Sequence, residues 1–158
     1  MILLAMSASC ASHAEPGGRR PTSSVANPSC SSASLYSDRE ACYAGWAPET
    51  CSQSRECASY REMHLSETRL REVERRVIEL ATTQYASYLE SDPTYVEDLT
   101  RSFISGTSAW RRYRDAHCEA EPLLQGMGRG EVGNLTEACR LELTKARINQ
   151  IEVLLKAF

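Results

Sequence analysis

The stretch Ser108-Ala-Trp110-Arg-Arg-Tyr113-Arg114-Asp115-Ala-His117-Cys118-Glu119-Ala-Glu121-Pro122 runs through a glycine-rich segment into Thr136-Glu-Ala-Cys139-Arg-Leu-Glu-Leu-Thr144-Lys-Ala-Arg147-Ile-Asn-Gln-Ile151. Two segments of helical character flank a loop, expected to reach Gly133, that holds Gly126, Gly128, Gly130 and Gly133. Each flank carries one cysteine at the end facing that loop. The pattern predicts a helical hairpin, and Cys118–Cys139 is its favoured staple. Closing a loop of about 20 residues contributes ~3 kcal/mol in the chain-entropy account of disulfides.

Upstream, Val96, Leu99, Phe103, Gly106, Trp110, Tyr113 and His117 alternate steps of three and four. That register suits a helix packed lengthwise against a neighbour. This second helix is expected from Pro93 or Thr94 to about Cys118, ended by Glu121-Pro122. Trp110 is its expected core anchor, and Gly106 its expected point of close approach. A first helix is expected after Pro48 with Thr50 as its cap. Its apolar stripe is Met63, Leu70, Val73, Val77, Leu80, Ala81 and Tyr88, and Asp92-Pro93 stops it. A third helix, capped by Asn134 or Thr136, carries Cys139, Leu143, Ala146, Ile151, Leu154, Leu155 and Phe158 to the C-terminus. No segment sustains period-two alternation. The expected fold is all-α: a disulfide-stapled up-down-up three-helix bundle with a flexible N-terminal segment. In that topology Cys51, Cys57, Cys118 and Cys139 gather at one end. Four cysteines allow three connectivities, so exchange of partners stays open.

A chain of 158 residues suffices for one domain. Its net charge of -3 excludes a general nucleic-acid binder, which needs a basic stripe. Seven cysteines occur without a single Cys-x-x-Cys pair. Zinc ribbons and thioredoxin-type sites therefore lack their spacing, and disulfides in an oxidising compartment are expected instead. Residues 1–14 resemble the end of a secretory signal, with apolar Met1-Ile-Leu-Leu-Ala-Met6 and the small-x-small triplet Ser12-His-Ala14. Met6-Ser-Ala-Ser-Cys10 is also a degenerate lipidation box. Cleavage or lipidation each removes Cys10 from the pairing pool. Cys30, Cys42, Cys51, Cys57, Cys118 and Cys139 then remain as candidates for three bridges. Residues 15–47 are rich in Ser, Pro and Gly and are expected to form a linker. Residues 48–158 form the expected helical domain. Nothing after residue 14 is apolar enough to span a membrane, so membrane contact is expected only through an anchor at Cys10.

The motifs for chemistry are weak. Gly128-Arg-Gly130-Glu-Val-Gly133 matches a dinucleotide fingerprint in letters, but a proline-broken helix precedes it where a strand is required. Cys57, His64, His117 and Cys118 are read as disulfide cysteines and ordinary helix histidines, so no metal or other cofactor is expected. No metalloprotease or nucleophile-elbow motif is present, and the chain is not expected to be an enzyme. Arg111, Arg112 and the set Tyr113-Arg114-Asp115 with Arg147 are read as register-setting charges. A recognition patch is the alternative.

Ala109-Trp110, Tyr113-Arg114-Asp115, Cys118, the glycine-bearing loop, Cys139 and Thr144-Lys-Ala-Arg147 together resemble the lysozyme inhibitor LprI-like family, small cysteine-containing proteins of the bacterial envelope. Cys57, Tyr60 and Leu70 look like upstream positions of that pattern, and the resemblance covers roughly Cys51 to Leu155. Glu67 and Arg71 depart from the family's aspartate-leucine-asparagine run. Cys30 and one of Cys42 or Cys51 look additional to its four-cysteine set. On this resemblance Trp110, Tyr113, Arg114, Asp115, Thr144 and Arg147 are structural motif residues. It implies an exported protein, periplasmic or lipid-anchored, whose partner is a lysozyme or another envelope protein. Glu119, Glu121 and Glu131 flank the loop and suit a basic cleft rim, while Leu123, Leu124 and Met127 offer an apolar tip for cleft occlusion. The alternative is a structural or adaptor module that binds another envelope protein or a cell-wall component.

Overall fold

A computed structural model describes residues 29–158, the Arg55 side chain excepted. The signal-like segment 1–14, Cys10 and the linker up to residue 28 lie outside the described residues. Five helices follow in order: α1 (Tyr36–Ala44), α2 (Pro48–Cys51), α3 (Arg55–Gln84), α4 (Tyr95–Leu124) and α5 (Arg129–Leu155). Short 3-10 turns cover Cys30–Ser32 and Ala86–Glu90. The described residues contain no strand.

Local chemistry sets the helix ends. The first long helix does not follow directly on Pro48 as expected; Pro48 starts the single turn α2, where a proline's missing N–H costs nothing. α3 begins at Arg55, and Ser54 caps it in place of Thr50. The Ser54 hydroxyl accepts the Cys57 N–H at 3.2 Å, a contact worth about 1 kcal/mol. At the far end of α3, Asp92 Oδ1 accepts from the Thr94 N–H at 3.3 Å and from its hydroxyl at 3.2 Å before α4 starts.

The glycine-rich loop is much shorter than its composition suggests. α4 carries Pro122 inside its final turn and ends only at Leu124. Gly126 sits at φ +74°. The Met127 N–H then reaches the Pro122 carbonyl and the Gly126 N–H the Leu123 carbonyl, each at 3.0 Å. This pair of bonds closes a helix through a left-handed residue, a position that glycine alone occupies without strain. Only Gln125–Gly128 lie between the two helices. Gly128, not Asn134 or Thr136, is the N-cap of α5, and Thr136 lies fully buried within it.

The long helices α3 and α5 run side by side in the same direction. Lys145 Nζ reaches Glu62 Oε1 at 2.6 Å, and Arg69 Nη2 reaches Glu152 Oε1 at 2.8 Å. Both pairs span the same sequence separation one heptad apart, so α3 and α5 lie parallel in constant register. α5 also packs along α4. The segment expected to be linker is occupied in part by α1, which packs on the first turns of α3. Tyr43 stacks on Tyr60 with ring centroids 5.4 Å apart and meets Trp46 edge-on at 5.0 Å. The expectation of three helices therefore gives way to three long helices plus α1 and α2.

Two apolar clusters result. One joins Cys30, Tyr43, Cys51, Cys57 and Tyr60 at the head of α3. The other joins Leu70, Val73, Val77 and Ile151, with Phe103, Trp110, Ile148 and Leu155 packed against them. Trp110 flanks this core half-buried rather than anchoring its centre. Gly106 is exposed, and a Cβ there would meet nothing within 4 Å, so no neighbour approaches it. Disulfides join Cys30–Cys42, Cys51–Cys57 and Cys118–Cys139, with Cα atoms 5.6, 5.2 and 5.5 Å apart. All three gather at the end of the bundle where α3 and α5 begin and α4 finishes.

Candidate functional site

Between the two apolar clusters the helices bury charge. On α3, Tyr60, Met63, Glu67, Leu70, Glu74, Val77 and Ala81 form one uninterrupted buried stripe with steps of three and four. Two of its positions are carboxylates. The facing stripe of α4 places Thr107, Arg114, Cys118 and Pro122 inward. Arg114 is 3% exposed, whereas Tyr113 is 58% exposed. The apolar register read through Tyr113 and His117 therefore turns away from the core after Trp110. Those two rings stack on each other outside it, 5.4 Å apart and 19° from parallel.

Three arginines organise this layer. Arg111 donates to Glu67 Oε1 at 2.7 Å and to Glu74 Oε2 at 2.8 Å. Arg114 donates to Glu67 Oε2 at 2.7 Å, to the Thr144 hydroxyl at 3.0 Å and to Asp115 Oδ1 at 2.8 Å. Arg140 donates to Asp115 Oδ1 and Glu137 Oε2, each at 2.9 Å, and to Glu40 of α1. Two guanidinium groups flank the Trp110 ring, Arg114 at 5.2 Å and Arg147 at 5.8 Å from its centroid. A third, Arg140, sits 4.9 Å from the centre of Tyr36. The network thus ties α1, α3, α4 and α5 to one another. Buried ion pairs of this kind give specificity of register more than net stability, because desolvation offsets most of the attraction.

The titration behaviour follows from this arrangement. Burial pushes the Glu67 and Asp115 carboxyls up, but hydrogen bonds from Arg114 and Arg111 to the first, and from Arg114 and Arg140 to the second, outweigh it and hold both below their ordinary values. Glu137 goes the other way. It is wholly buried, and its Oε1 has no hydrogen-bond partner. Burial, with Glu40 close by, pushes it up to about 8, and Arg140 offsets this only in part. One guanidinium facing three carboxylates leaves one of them best kept neutral, and Glu137 carries the bare oxygen where the proton fits.

Trp110, Arg114, Asp115, Thr144 and Arg147 therefore converge within the bundle, and Tyr113 does not join them. Glu40, Glu74, Glu137 and Arg140 complete the network although no sequence motif singled them out. Their signal was a charged residue falling in step with an apolar stripe, as Glu74 does between Leu70 and Val77.

The partner-contact candidates lie on the outer rim of the same end. Leu124 is 86% exposed at the tip of the α4–α5 turn, beside exposed Leu123 and Met127. Glu119 is exposed on α4, and Glu131 on the first turn of α5. Glu121 is partly covered, accepting from Gln125 Nε2 at 3.3 Å. Met127, Gly130, Glu131 and Leu135 line an open groove of about 390 Å³ against Ser59 of α3. Two larger apolar grooves, of about 690 and 510 Å³, lie toward the opposite end, where Leu89, Ile104 and Phe158 are exposed. Among the described residues no helix is long and apolar enough to cross a membrane.

These features define a small, disulfide-braced helical scaffold whose buried charged residues pair with one another and which exposes apolar residues at both ends. The chain belongs to the lysozyme inhibitor LprI family, whose model matches residues 47–151. No curated protein and no solved structure matches the chain.

Proposed function

We propose that this is an exported binding protein that inhibits a lysozyme by seating the α4–α5 turn in the enzyme's substrate cleft. The observation that carries the reading is Leu124, the most exposed large apolar side chain of the described residues, which ends α4 and borders the four-residue turn. The Cys118–Cys139 bridge and the arginine network behind it hold that turn before it meets a partner, which lowers the ordering cost of binding. Glu119, Glu121 and Glu131 around it suit a basic rim. Family membership supports the class of partner. Export rests on the signal-like residues 1–14 and on the disulfides, and Cys10 is either lipidated or lost with the leader. The role is binding, not catalysis.

The test is titration of purified, oxidised protein into c-type, g-type and phage-type lysozyme assays. Inhibition of at least one type at micromolar protein is expected, and Leu124→Asp weakens it roughly tenfold or more, as for a central interface residue. An inert wild-type protein across the panel overturns the proposal.

A second reading, an adaptor for a cell-wall component, is favoured by the opposite end. There Tyr85, Tyr88, Tyr95 and Phe158 form a contiguous ring cluster with centroids 5.0–6.3 Å apart. It predicts co-sedimentation with isolated peptidoglycan that Tyr88→Ala abolishes, with no effect on lysozyme.

A further inference from the structure

The Cys118–Cys139 bridge has unusual company. His117 Nε2 lies 3.8 Å from Glu121 Oε2, one turn along α4. Ligand atoms of His117, Glu121 and Cys139 all lie within 4.8 Å of one another. Cys118 Sγ is bonded to the Cys139 Sγ of that group, 2.02 Å away. Imidazole, carboxylate and two sulfurs are the donors of a tetrahedral zinc site, whose bonds of about 2.0–2.3 Å place neighbouring donors some 3–4 Å apart. The rest of the geometry suits the role. Tyr113 stacks on the His117 ring and fixes its plane. Cys139 is partly exposed, so a reductant and an ion both reach it, while Cys118 is fully buried.

We propose that the Cys118–Cys139 disulfide masks a site for zinc or a similar thiophilic divalent cation, formed by His117, Cys118, Glu121 and Cys139 once the bridge is reduced. The reductant is a low-molecular-weight thiol or a dithiol protein. Two thiols of the reductant supply two electrons and two protons. The bond between the two protein sulfurs breaks, each sulfur takes a proton, and the reductant leaves as its own disulfide. The ion then displaces the two thiol protons and is held by two thiolates, the imidazole nitrogen and the carboxylate. While the bridge stands, the sulfurs have no thiolate character and the set cannot hold the ion. The helix ends stay joined in either state, by a covalent bond in one and by the ion in the other.

Cobalt(II), a spectroscopic stand-in for zinc, tests this on the full chain under anaerobic conditions. The reduced protein is expected to show thiolate-to-metal charge transfer and the strong visible bands of a tetrahedral site, and the oxidised protein neither. His117→Ala and Glu121→Gln, both changes at partly exposed side chains, are expected to weaken cobalt binding roughly 10–100-fold in the reduced state. Cys30→Ala with Cys42→Ala, and separately Cys51→Ala with Cys57→Ala, are each expected to leave it unchanged, which separates this site from the thiols of the other two bridges. Unaltered binding in His117→Ala overturns the proposal. So does equal binding by the oxidised protein, or loss of helicity by circular dichroism when the bridge is opened with zinc present.

Discussion

Glu137 shows how a single buried atom sets the behaviour of its surroundings. Its Oε2 accepts from Arg140 at 2.9 Å, and its Oε1 has no partner. The folded state holds a proton there until about pH 8, whereas an unfolded chain releases it near 4.5, the ordinary value of a glutamate. Between those values the folded form binds more protons, so stability falls as pH rises, at up to about 1.4 kcal/mol per unit. Above about 8 the loss is complete. Glu67 and Asp115 have the opposite sign. Their lowered values add stability at neutral pH that is lost on acidification. Urea unfolding of the wild type is therefore expected to show a maximum on the mildly acidic side. Glu137→Gln, which mimics the protonated form, should flatten the alkaline limb and gain roughly 2–4 kcal/mol near pH 8.5. Parallel pH profiles for the two proteins would contradict this account.

The long helices were legible in the sequence because their apolar stripes are periodic, and α3 keeps its stripe from Met63 to Ala81. The ends were not. Proline at 48 and at 122 signals a boundary only where its missing N–H falls outside the hydrogen-bond ladder. Pro48 opens a separate turn, and α4 continues two residues past Pro122 before the Gly126 cap closes it. α1 was hidden by its flanks, since Ser and Pro dominate the composition while Tyr36, Arg39, Glu40 and Tyr43 make the contacts. Arg39 donates to the Tyr60 hydroxyl and to the Ala33 carbonyl, each at 2.9 Å. The charged layer was illegible for a related reason. An arginine is ordinarily assigned to water, and only the facing glutamates, in step on α3, make an inward Arg114 affordable. At this scale the α4–α5 closure is also measurable. Cys118→Ser with Cys139→Ser is expected to lower stability by ~3 kcal/mol, from the loop the bridge closes. An unchanged unfolding midpoint would show that the buried arginines alone hold the hairpin.

At the scale of the whole molecule, the closed end offers a rigid rim and the far end an aromatic one. The family match covers most of the chain and fixes the class. Which rim meets the partner is decided by comparing Leu124→Asp with Tyr88→Ala in the lysozyme and peptidoglycan assays. The candidate rim was only partly visible beforehand. Leu123, Leu124 and Met127 mark an apolar tip in the sequence, but the supporting residues Arg140 and Glu40 come from distant parts of the chain and meet only in the fold.

The placement of the three disulfides has a consequence for motion. Among the described residues every covalent cross-link sits where α3 and α5 begin, and those toward Tyr85, Tyr95 and Phe158 carry none. Local opening needs the least energy where links and buried contacts are fewest. Amide hydrogen exchange should therefore grade along the long axis, slow around Tyr60 and Thr144 and fast between Ala86 and Thr94, with the C-terminal turn also fast. On that gradient the molecule is expected to open first from its aromatic end, leaving that end the one free to reshape around whatever touches it.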